Sequence, residues 1–340
     1  MPFVSANTPV IVGASQFTER IDDPDYATLS PVAITARAAE LALMDAGMDG
    51  CKEHIDTVMT TRIFEDSAPV LEFPFGRSNN FPRSVCKRLN INPAMAIWAT
   101  SGGDTPQKLV TEACDRIWQG VSKAVLISGG EALSTSRFLQ KQGSDVDWSE
   151  DLEEQVDDRG AIIDYLTHDE IMNGLVTPPL FYGLMENAKR LAAGIDADRW
   201  AEQMGALFAP FAAVASENPL AAQHDKAFTA ADLTAVAPGN RYVASPYPQR
   251  LVARDQVNQS AALVVISTGL ADELGISPSA RVYLHGQAVA GEPPVTLRAE
   301  LGQAPSAGLA LNRALDRAAC VADDIAYFDF YSCFPIAVSN

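Results

Sequence analysis

The clearest alternation of apolar and polar positions lies in residues 97–131. Apolar side chains recur at helical spacing over residues 109–118, and short β-rich runs lie on both sides of that helix. A glycine turn at residues 101–103 precedes the helix, and Pro106 fits its first position because the missing N–H costs nothing there. The pattern therefore predicts a strand, a turn, a helix and a second strand that ends in a glycine pair.

Strand-like and helix-like segments also alternate in the rest of the first 130 residues and again after residue 260. Such alternation is typical of βαβ units, which place strands in a mainly parallel sheet with right-handed crossovers. The helix that follows Ser30 has the best-defined start, since serine caps a helix and the next residue is proline. The predicted strands are residues 10–12, 55–60, 96–98, 261–266, 281–289 and 325–330, and the predicted helices are residues 31–47, 82–89 and 307–320.

Residues 132–254 break this alternation. An excursion of this length is a subdomain and not a loop, and helical patterns at residues 178–194 and 197–217 indicate a largely helical cap. Its first part, residues 145–158, carries eight carboxylates. We expect this acidic run to be a solvated or mobile surface segment without a chemical role.

A weak internal repeat relates two distant parts of the chain. The string ALMDA at residues 42–46 lies before a strand that opens at Ile55, and the similar string ALDRA at residues 314–318 lies before Ile325. Two related α/β halves with a helical insert would explain this order. The second half is short of a further crossover unit, so we expect the polypeptide to be truncated or processed at its C-terminus. The predicted domains are residues 1–131, 132–254 and 255–340.

Composition narrows the setting and the partners. Of 340 residues, 47% are hydrophobic and 20% are charged, which suffices for a large core. The formal charge of −18 argues against nucleic acid as a partner and means that an anionic cofactor needs a local basic patch. No apolar run reaches the length of a membrane span, and the N-terminus lacks a basic signal region. The five cysteines and four histidines show no metal-ligand spacing, so we predict no metal site and a reducing, cytoplasmic setting.

Four short strings follow one another along the chain: ACDRIWQGVSKAVLISGGE at residues 113–131, YGLMENA at residues 182–188, RDQVNQSAA at residues 254–262 and DFYSCF at residues 329–334. Their order and spacing resemble the thiolase superfamily. The strings GGDTPQ and YSCFP are similar to those of its sterol-carrier-protein-type thiolase-like members. The resemblance implies an α/β fold with duplicated α/β/α layers and a helical loop-domain insert. It also implies a homodimer, with a monomer as the alternative, and acyl-CoA as the small-molecule partner.

The departures from the family pattern begin with the nucleophile. Thiolases carry a cysteine at the N-terminus of the central helix, where its thiolate is stabilised and takes the acyl group. The equivalent position here falls on Gly103 or Asp104, and neither is a nucleophile. Cys114 lies more than two turns further along the apolar face and, like Cys86, is predicted to be a core residue. The family's GHP and CxG loops would lie beyond residue 340.

The later loop supplies the candidate catalytic residues Tyr331, Ser332 and Cys333. By resemblance, Tyr331 takes the place of an Asn or His that binds a catalytic water or the thioester oxygen. A phenol can donate to an oxyanion, although an aromatic that packs at a strand end is an equal alternative. Ser332 takes the place of a carboxylate. Cys333 matches a family cysteine that the resemblance implies is not the nucleophile.

The candidate binding residues lie in two places. The turn before the central helix offers N–H groups and a positive dipole end to an anion or an oxyanion. Basic residues of the helical cap could bind the phosphates of coenzyme A, with Lys189 and Arg190 first and Arg199 next. We expect the turn and the Tyr331 loop to meet at the carboxyl ends of neighbouring strands. The candidate residues of the turn are Ser101, Gly102, Gly103, Asp104 and Thr105.

Three functions stay open at this point. The first is acyl transfer of the acetyl-CoA acetyltransferase type, with a coenzyme A thioester as substrate and no covalently bound cofactor. The second is a cysteine-free retro-aldol lyase that works with an OB-fold partner protein or a C-terminal extension. The third is a non-catalytic acyl-CoA or lipid-binding module. We predict a thiolase-like CoA-thioester protein, nominally an acyltransferase, that lacks ordinary thiolase activity.

Overall fold

The computed structural model describes residues 4–48, 52–67, 71–161 and 166–340. Short 3₁₀ turns lie at Lys52–His54, Phe64–Asp66, Gln249–Leu251, Pro278–Ala280, Val295–Leu297 and Ala322–Asp324. The strands and α-helices, in chain order, are β1 (Pro9–Thr18), α1 (Pro31–Asp45), β2 (Thr57–Thr60), α2 (Phe81–Leu89), β3 (Met95–Trp98), α3 (Thr105–Trp118), β4 (Ala124–Ala132), α4 (Leu133–Gln142), β5 (Asp157–Asp158), α5 (His168–Met172), α6 (Pro178–Ala192), α7 (Ala197–Glu217), α8 (Ala230–Thr234), β6 (Tyr242–Ala244), β7 (Tyr247–Pro248), β8 (Asn258–Ser267), α9 (Thr268–Glu273), β9 (Val282–Tyr283), α10 (Pro305–Ala318) and α11 (Pro335–Ser339).

These elements form two compact units. The first comprises Met1–Ile163 and Gln256–His285, and its described part contains a seven-stranded sheet in the order β5-β3-β2-β4-β8-β1-β9. The second comprises Asp164–Asp255 and Gly286–Asn340 and is mainly helical. The division into three domains stays a prediction. Among the described residues, none of the helices combines the length and the apolar character needed to cross a bilayer.

One half of the sheet is parallel, as the alternating pattern predicts. β3 and β4 both pair in parallel with β2, so that Thr60 lies between Trp98 and Ser128. All four residues of β2 are buried, as expected of a strand that is covered on both faces. Val58 packs in the core that includes α1 and α2, whereas Met59 packs in the core that includes α3. Helices therefore cover both faces of this half.

The other half of the sheet is antiparallel. β8 pairs with both β4 and β1, and β9 pairs with β1, all in antiparallel register. β8 comes from the chain after the helical excursion and enters the sheet between β4 and β1. The predicted α/β class is confirmed, and the sheet is parallel on one side and antiparallel on the other.

Helix α1 shows how the local sequence sets the outer layer of the first unit. Ser30 Oγ caps the helix by accepting a hydrogen bond from its first turn at 3.2 Å, as the sequence predicts. The helix lies close to the sheet because two strand glycines leave room for it. A Cβ atom on Gly13 would lie 2.3 Å from Ala42 O, and one on Gly130 would lie 2.7 Å from Thr35 Oγ1. Side chains at these two positions would push α1 off the sheet.

The acidic segment is a largely exposed surface segment, as expected, and it is also attached to the sheet edge. We call residues 144–160 the acidic strap. Its β5 pairs in parallel with β3, a pairing that the sequence pattern did not predict. Two buried side chains hold its backbone: Asn80 Nδ2 donates to Glu154 O at 2.7 Å, and Arg83 Nε donates to the next carbonyl at 3.0 Å. These contacts order the segment despite its charge.

The second unit is built on α6 and α7, whose bounds match the helices predicted from the sequence. Asp196 caps α7 by accepting a hydrogen bond from Arg199 N–H at 2.9 Å. Phe181 of α6 and Trp200 and Met204 of α7 belong to one buried core. The helical character predicted for this part of the chain is therefore confirmed.

Two strands predicted near the C-terminus are wrong. Residues 281–289 yield only the two-residue β9, and residues 325–330, all of them described, form no strand. Tyr327 is 93% exposed and Phe330 is 57% exposed. A β-rich string becomes a strand only where a neighbouring strand takes its hydrogen bonds, and none does so here among the described residues. The helix predicted at residues 307–320 is confirmed as α10.

Candidate functional site

The glycine turn lies between β3 and α3, as predicted. Helix α3 begins at Thr105, so Pro106 occupies its second position and not its first. The Thr105 N–H already donates to Gly102 O at 3.2 Å. Within the described part of the chain, no acceptor binds the N–H groups of Gly103 and Asp104. The N–H groups of Gly103 and Asp104 are therefore able to donate to a ligand oxygen.

Asp104 sets the charge at this helix start. Its carboxylate does not cap the helix but pairs with Lys108 Nζ at 2.5 Å. Both side chains are more than half exposed, so water and salt screen the pair. A carboxylate bound by a lysine repels an approaching oxyanion less than a lone one. The N–H groups of Gly103 and Asp104 can therefore donate to an oxyanion despite the neighbouring carboxylate.

The two described cysteines of the first unit cannot replace the missing nucleophile. Cys114 is 4% exposed on the apolar face of α3, and burial raises the pKa of its thiol to about 11. Cys86 is 2% exposed, and burial raises its pKa to about 12. Such thiols are protonated near neutral pH and react poorly. Both are core residues, as predicted, while Cys51 lies outside the described residues.

Two carboxyl groups that were not predicted from the sequence lie near the carboxyl ends of two strands: Glu65 follows β2, and Glu131 is the penultimate residue of β4. Glu131 Oε1 accepts a hydrogen bond from Phe64 N–H at 2.6 Å, and Glu65 Oε1 accepts one from Ser136 Oγ at 3.2 Å. Burial raises the pKa of Glu131 to about 8, opposed by the Phe64 hydrogen bond and reinforced by the charge of Glu65. Burial also raises the pKa of Glu65. In the sequence, Glu131 directly follows the glycine pair that ends the predicted strand, and this position could have indicated a carboxyl group at the strand end.

The second unit carries the candidate catalytic loop. Tyr331 is 60% exposed, and its hydroxyl lies 2.6 Å from Cys333 Sγ. Ser332 Oγ donates to Phe334 O at 2.6 Å, and Cys333 O accepts from Ala253 N–H at 2.9 Å. The structure thus brings Tyr331 and Cys333 side by side and holds the loop by its backbone. The exposure of Tyr331 disfavours the alternative of an aromatic packed at a strand end.

A buried glutamate lies beneath this loop. Phe334 stacks on Tyr182 with 4.3 Å between ring centroids and contacts Tyr247 at 5.4 Å. Glu186 is fully buried and accepts hydrogen bonds from Tyr247 Oη at 2.7 Å and Trp200 Nε1 at 2.8 Å. Burial raises the pKa of Glu186, and both hydrogen bonds oppose the shift. Glu186 is part of the YGLMENA string, whose buried role the string alone did not reveal.

Lys189 lines a cavity of the second unit. Its Nζ donates to Asn340 Oδ1 at 2.8 Å and also contacts the Ser339 carbonyl. Burial lowers the pKa of Lys189, while the charge of Glu186 opposes the shift. The cavity measures about 490 Å³ and is lined by Ala188, Lys189, Ala192, Glu300, Leu301, Gly302, Gln303, Ala304, Pro305 and Asn340.

The other two basic candidates face different partners. Arg190 Nη1 donates to Ile195 O at 2.9 Å, at the end of its own helix. Arg199 Nη1 pairs with Glu202 at 2.8 Å, and both side chains are about two-thirds exposed. Neither arginine lines the 490 Å³ cavity. Of the predicted basic patch, only Lys189 therefore combines a positive charge with a concave surface.

The fold and these sites can now be compared with known proteins. No protein-family model matches the sequence, and no curated protein matches it. A monomeric SCP2-thiolase-like protein type 1 from Mycobacterium smegmatis is 35% identical with a TM-score of 0.79, over 99% of this chain and 63% of that one. An Ltp2–ChsH2(DUF35) aldolase is 17% identical with a TM-score of 0.69, over 97% and 75%. Human mitochondrial 3-ketoacyl-CoA thiolase is 16% identical with a TM-score of 0.62, over 98% and 82%.

These similarities bear out the expected fold. The chain spans 63% of the length of the M. smegmatis protein, so the activity of a whole relative does not transfer to it directly. The two neighbours below 25% identity show the fold alone. The glycine turn belongs to the first unit and the Tyr331 loop to the second, and their meeting stays a prediction.

Proposed function

From the premise that this chain has a thiolase-like fold, we propose that it binds acyl-CoA thioesters and acts on them without a cysteine nucleophile. The glycine turn before α3 carries this proposal. Among the described residues no acceptor binds the N–H groups of Gly103 and Asp104, and the turn itself carries no cysteine. A thioester carbonyl oxygen bound at this turn would be stabilised as negative charge develops on it. Without a thiolate, however, no acyl-cysteine intermediate can form.

The nominal reaction class is acyl transfer of the acetyl-CoA acetyltransferase type, in the cytoplasm, where free thiols persist. In that case the acceptor itself attacks the thioester carbonyl, and the coenzyme A thiolate leaves. Tyr331, exposed and next to Cys333, supplies a hydroxyl for the proton transfer. Ser332 has no carboxylate and cannot act as the base. Tyr331 or the substrate itself would therefore have to accept the proton.

Retro-aldol cleavage is the second candidate, and the missing thiol favours it. A base removes the proton of a β-hydroxyl, the Cα–Cβ bond breaks, and the electron pair moves into the thioester as an enolate. This sequence needs an oxyanion site and a proton-transfer group but no nucleophile. A structural neighbour is an aldolase with a DUF35 component, and an OB-fold partner protein would fit this alternative.

Parallel assays on the whole protein separate these reactions. The purified chain is given acetyl-CoA with an acyl acceptor, and separately a 3-hydroxyacyl-CoA, with and without a DUF35 protein. We expect no ordinary thiolase activity, and replacing Gly103 with Cys should not restore it. Acetyl transfer between two acetyl-CoA molecules at a normal enzymatic rate would refute the cysteine-free proposal. Binding of acyl-CoA without turnover in either assay would instead support the non-catalytic alternative.

The role of Tyr331 has a matched control in the same segment. Removing one oxyanion-site donor typically lowers kcat by about 10²–10³, so Tyr331→Phe should slow the reaction found above by about a hundredfold or more. Tyr327→Phe removes the same atom from a residue that is 93% exposed and should leave the rate unchanged. Equal rates for both variants and the parent would remove Tyr331 from the mechanism.

The coenzyme A phosphates are proposed to bind near Lys189, because this lysine lines the cavity of the second unit. Calorimetric titration of coenzyme A against Lys189→Glu and Arg190→Glu tests the two candidates separately. Lys226→Glu reverses an exposed charge of the same unit and serves as the control. We expect a weaker affinity only for Lys189→Glu. Unchanged affinity in both variants would exclude this patch from the binding site.

A further inference from the structure

The first unit contains a narrow crevice on the sheet face opposite α3. Trp98, which lines it, packs in the core that includes α1 and α2, whereas its neighbour Ile97 packs in the core that includes α3. The crevice encloses about 470 Å³ including the part open to solvent, but only about 20 Å³ of it has room for a whole water molecule. Five aromatic side chains line it, namely Phe73, Phe75, Phe81, Trp98 and Trp148.

Among the described residues, no acceptor binds the indole N–H of Trp98, which lines this crevice. Trp98 is 5% exposed, and its Nε1 atom has no hydrogen-bond partner among the described residues. The Arg62 guanidinium lies 3.8 Å from the centroid of the ring, and the Phe81 ring is nearly parallel to it with its centroid 6.4 Å away. A buried donor without a partner is costly, and a guest with an acceptor oxygen removes that cost.

The charges around the crevice compensate one another. Asp66, which lines it, is held by Arg77 at 2.6 Å and by the buried Arg62. Glu65 accepts a hydrogen bond from Ser136 Oγ at 3.2 Å, and burial raises its pKa. Among the described residues of the lining, Asp66 and Arg77 thus neutralise each other, and Ser136 donates to Glu65. The crevice is suited to a neutral guest.

The acidic strap covers this crevice with one side chain. The ring centroid of Trp148 lies 5.1 Å from that of Phe75. The backbone N–H of Trp148 donates to the Phe75 carbonyl at 2.6 Å. Gly76 lies so close to the strap that a Cβ atom there would come 2.0 Å from Ser149 Oγ. The Trp148 ring itself is only partly buried. Moving this ring outward would widen the crevice without breaking the backbone contacts of the strap.

We propose that this crevice binds a small neutral molecule with an apolar body and a carbonyl oxygen, which accepts the hydrogen bond of Trp98 Nε1. The apolar body would lie among the aromatic rings after Trp148 moves aside. None of the residues that line the crevice belongs to the glycine turn or to the Tyr331 loop, so the test below does not depend on the proposed acyl-CoA chemistry.

Acetophenone and ethylbenzene form a matched pair of probes, since they differ in the carbonyl oxygen. Each is titrated against the whole ¹⁵N-labelled protein, and the four indole N–H signals are followed by NMR. Single Trp→Phe variants at positions 118, 148 and 200 assign three of these signals. The remaining signal is then that of Trp98, so its assignment does not require the Trp98→Phe variant to fold. Trp118, which is 60% exposed, is the internal control. In Trp98→Phe the donor is removed while an aromatic ring stays.

We expect acetophenone to move the Trp98 signal saturably and to bind about two- to tenfold more tightly than ethylbenzene, the range that one neutral hydrogen bond supplies. Trp98→Phe should abolish this preference, and the Trp118 signal should not move. Equal affinities of the two probes for the parent protein would overturn the proposal, because the N–H would then play no part. A Trp98 signal that shows a bound water and ignores acetophenone would overturn it as well.

Discussion

Replacing Glu131 by Gln tests whether burial controls the acid pair of the first unit. The pKa of Glu131 rises from an ordinary 4.5 to about 8 in the folded chain, and burial is the main cause. Because the folded-state pKa is raised, the favourable contribution of this group is fully present below about pH 4.5. It is lost as the pH rises through about 8. Each unit of pKa shift is worth about 1.4 kcal/mol, so the loss reaches about 3 kcal/mol at pH 7 and about 5 kcal/mol above pH 9.

Glutamine removes the titrating group and keeps an oxygen for the Phe64 N–H, which donates to Glu131 at 2.6 Å. We therefore expect Glu131→Gln to match the parent protein near pH 4 and to exceed its stability by about 3 kcal/mol at pH 7. The measurement is the free energy of unfolding in urea, followed by tryptophan fluorescence at several pH values.

Glu112→Gln is the control with the opposite sign. Its hydrogen bonds with Arg159, at 2.6 and 2.8 Å, lower the pKa of Glu112. Because the pKa of Glu112 is lower in the folded chain than in the unfolded chain, the ionised carboxylate stabilises the fold at pH values above its unfolded-state pKa. Glu112→Gln should therefore become less stable than the parent protein as the pH rises past that pKa. If the difference between the parent and Glu131→Gln stays constant from pH 4 to pH 9, burial does not hold the proton on Glu131 and the reasoning is refuted.

Three further predictions concern groups away from the glycine turn. Tyr247→Phe removes a hydroxyl that donates to the buried Glu186 and should cost about 1.5–3 kcal/mol in the free energy of unfolding, whereas a cost near zero would show that this hydrogen bond does not stabilise the fold. Cys86 and Cys114 should resist iodoacetamide at pH 7.5 while the partly exposed thiols react, as peptide mass spectrometry would report; fast labelling of either contradicts its raised pKa. Asn80→Ala should speed amide exchange across the acidic strap by about fivefold for the one hydrogen bond lost, and unchanged exchange would mean that other contacts hold the strap.

The helices and several strands follow from local sequence. Ser30 before a proline predicts the start of α1, and the cap is made by that serine. The bounds of α7 follow equally from the spacing of apolar residues after Asp196. A cap and an amphipathic stripe are properties of a few consecutive residues, so one sequence suffices to find them. The glycine turn, the absence of a thiol next to it and the buried state of Cys114 could be predicted for the same reason.

Strand pairing could not be predicted in the same way. The acidic strap has no apolar alternation, yet its β5 joins β3 because Asn80 and Arg83 hold its backbone from a distant part of the chain. Residues 325–330 have the composition of a strand and form none. Trp118 lies on the apolar stripe of α3 and is 60% exposed. A strand needs a partner, and burial needs a covering element, and both come from elsewhere in the chain.

The chemistry of the candidate sites also depends partly on the local sequence and partly on the tertiary structure. The sequence by itself determined which groups exist: the glycine turn without a thiol, the Tyr331–Cys333 loop and the basic residues of α6. Only the tertiary structure decided that the pKa values of Glu131 and Glu186 are raised, that Glu186 is fully buried and that Lys189 lines a cavity. The type of a side chain is encoded at one position. Its pKa and its exposure depend on the desolvation and the charges that distant segments bring to it.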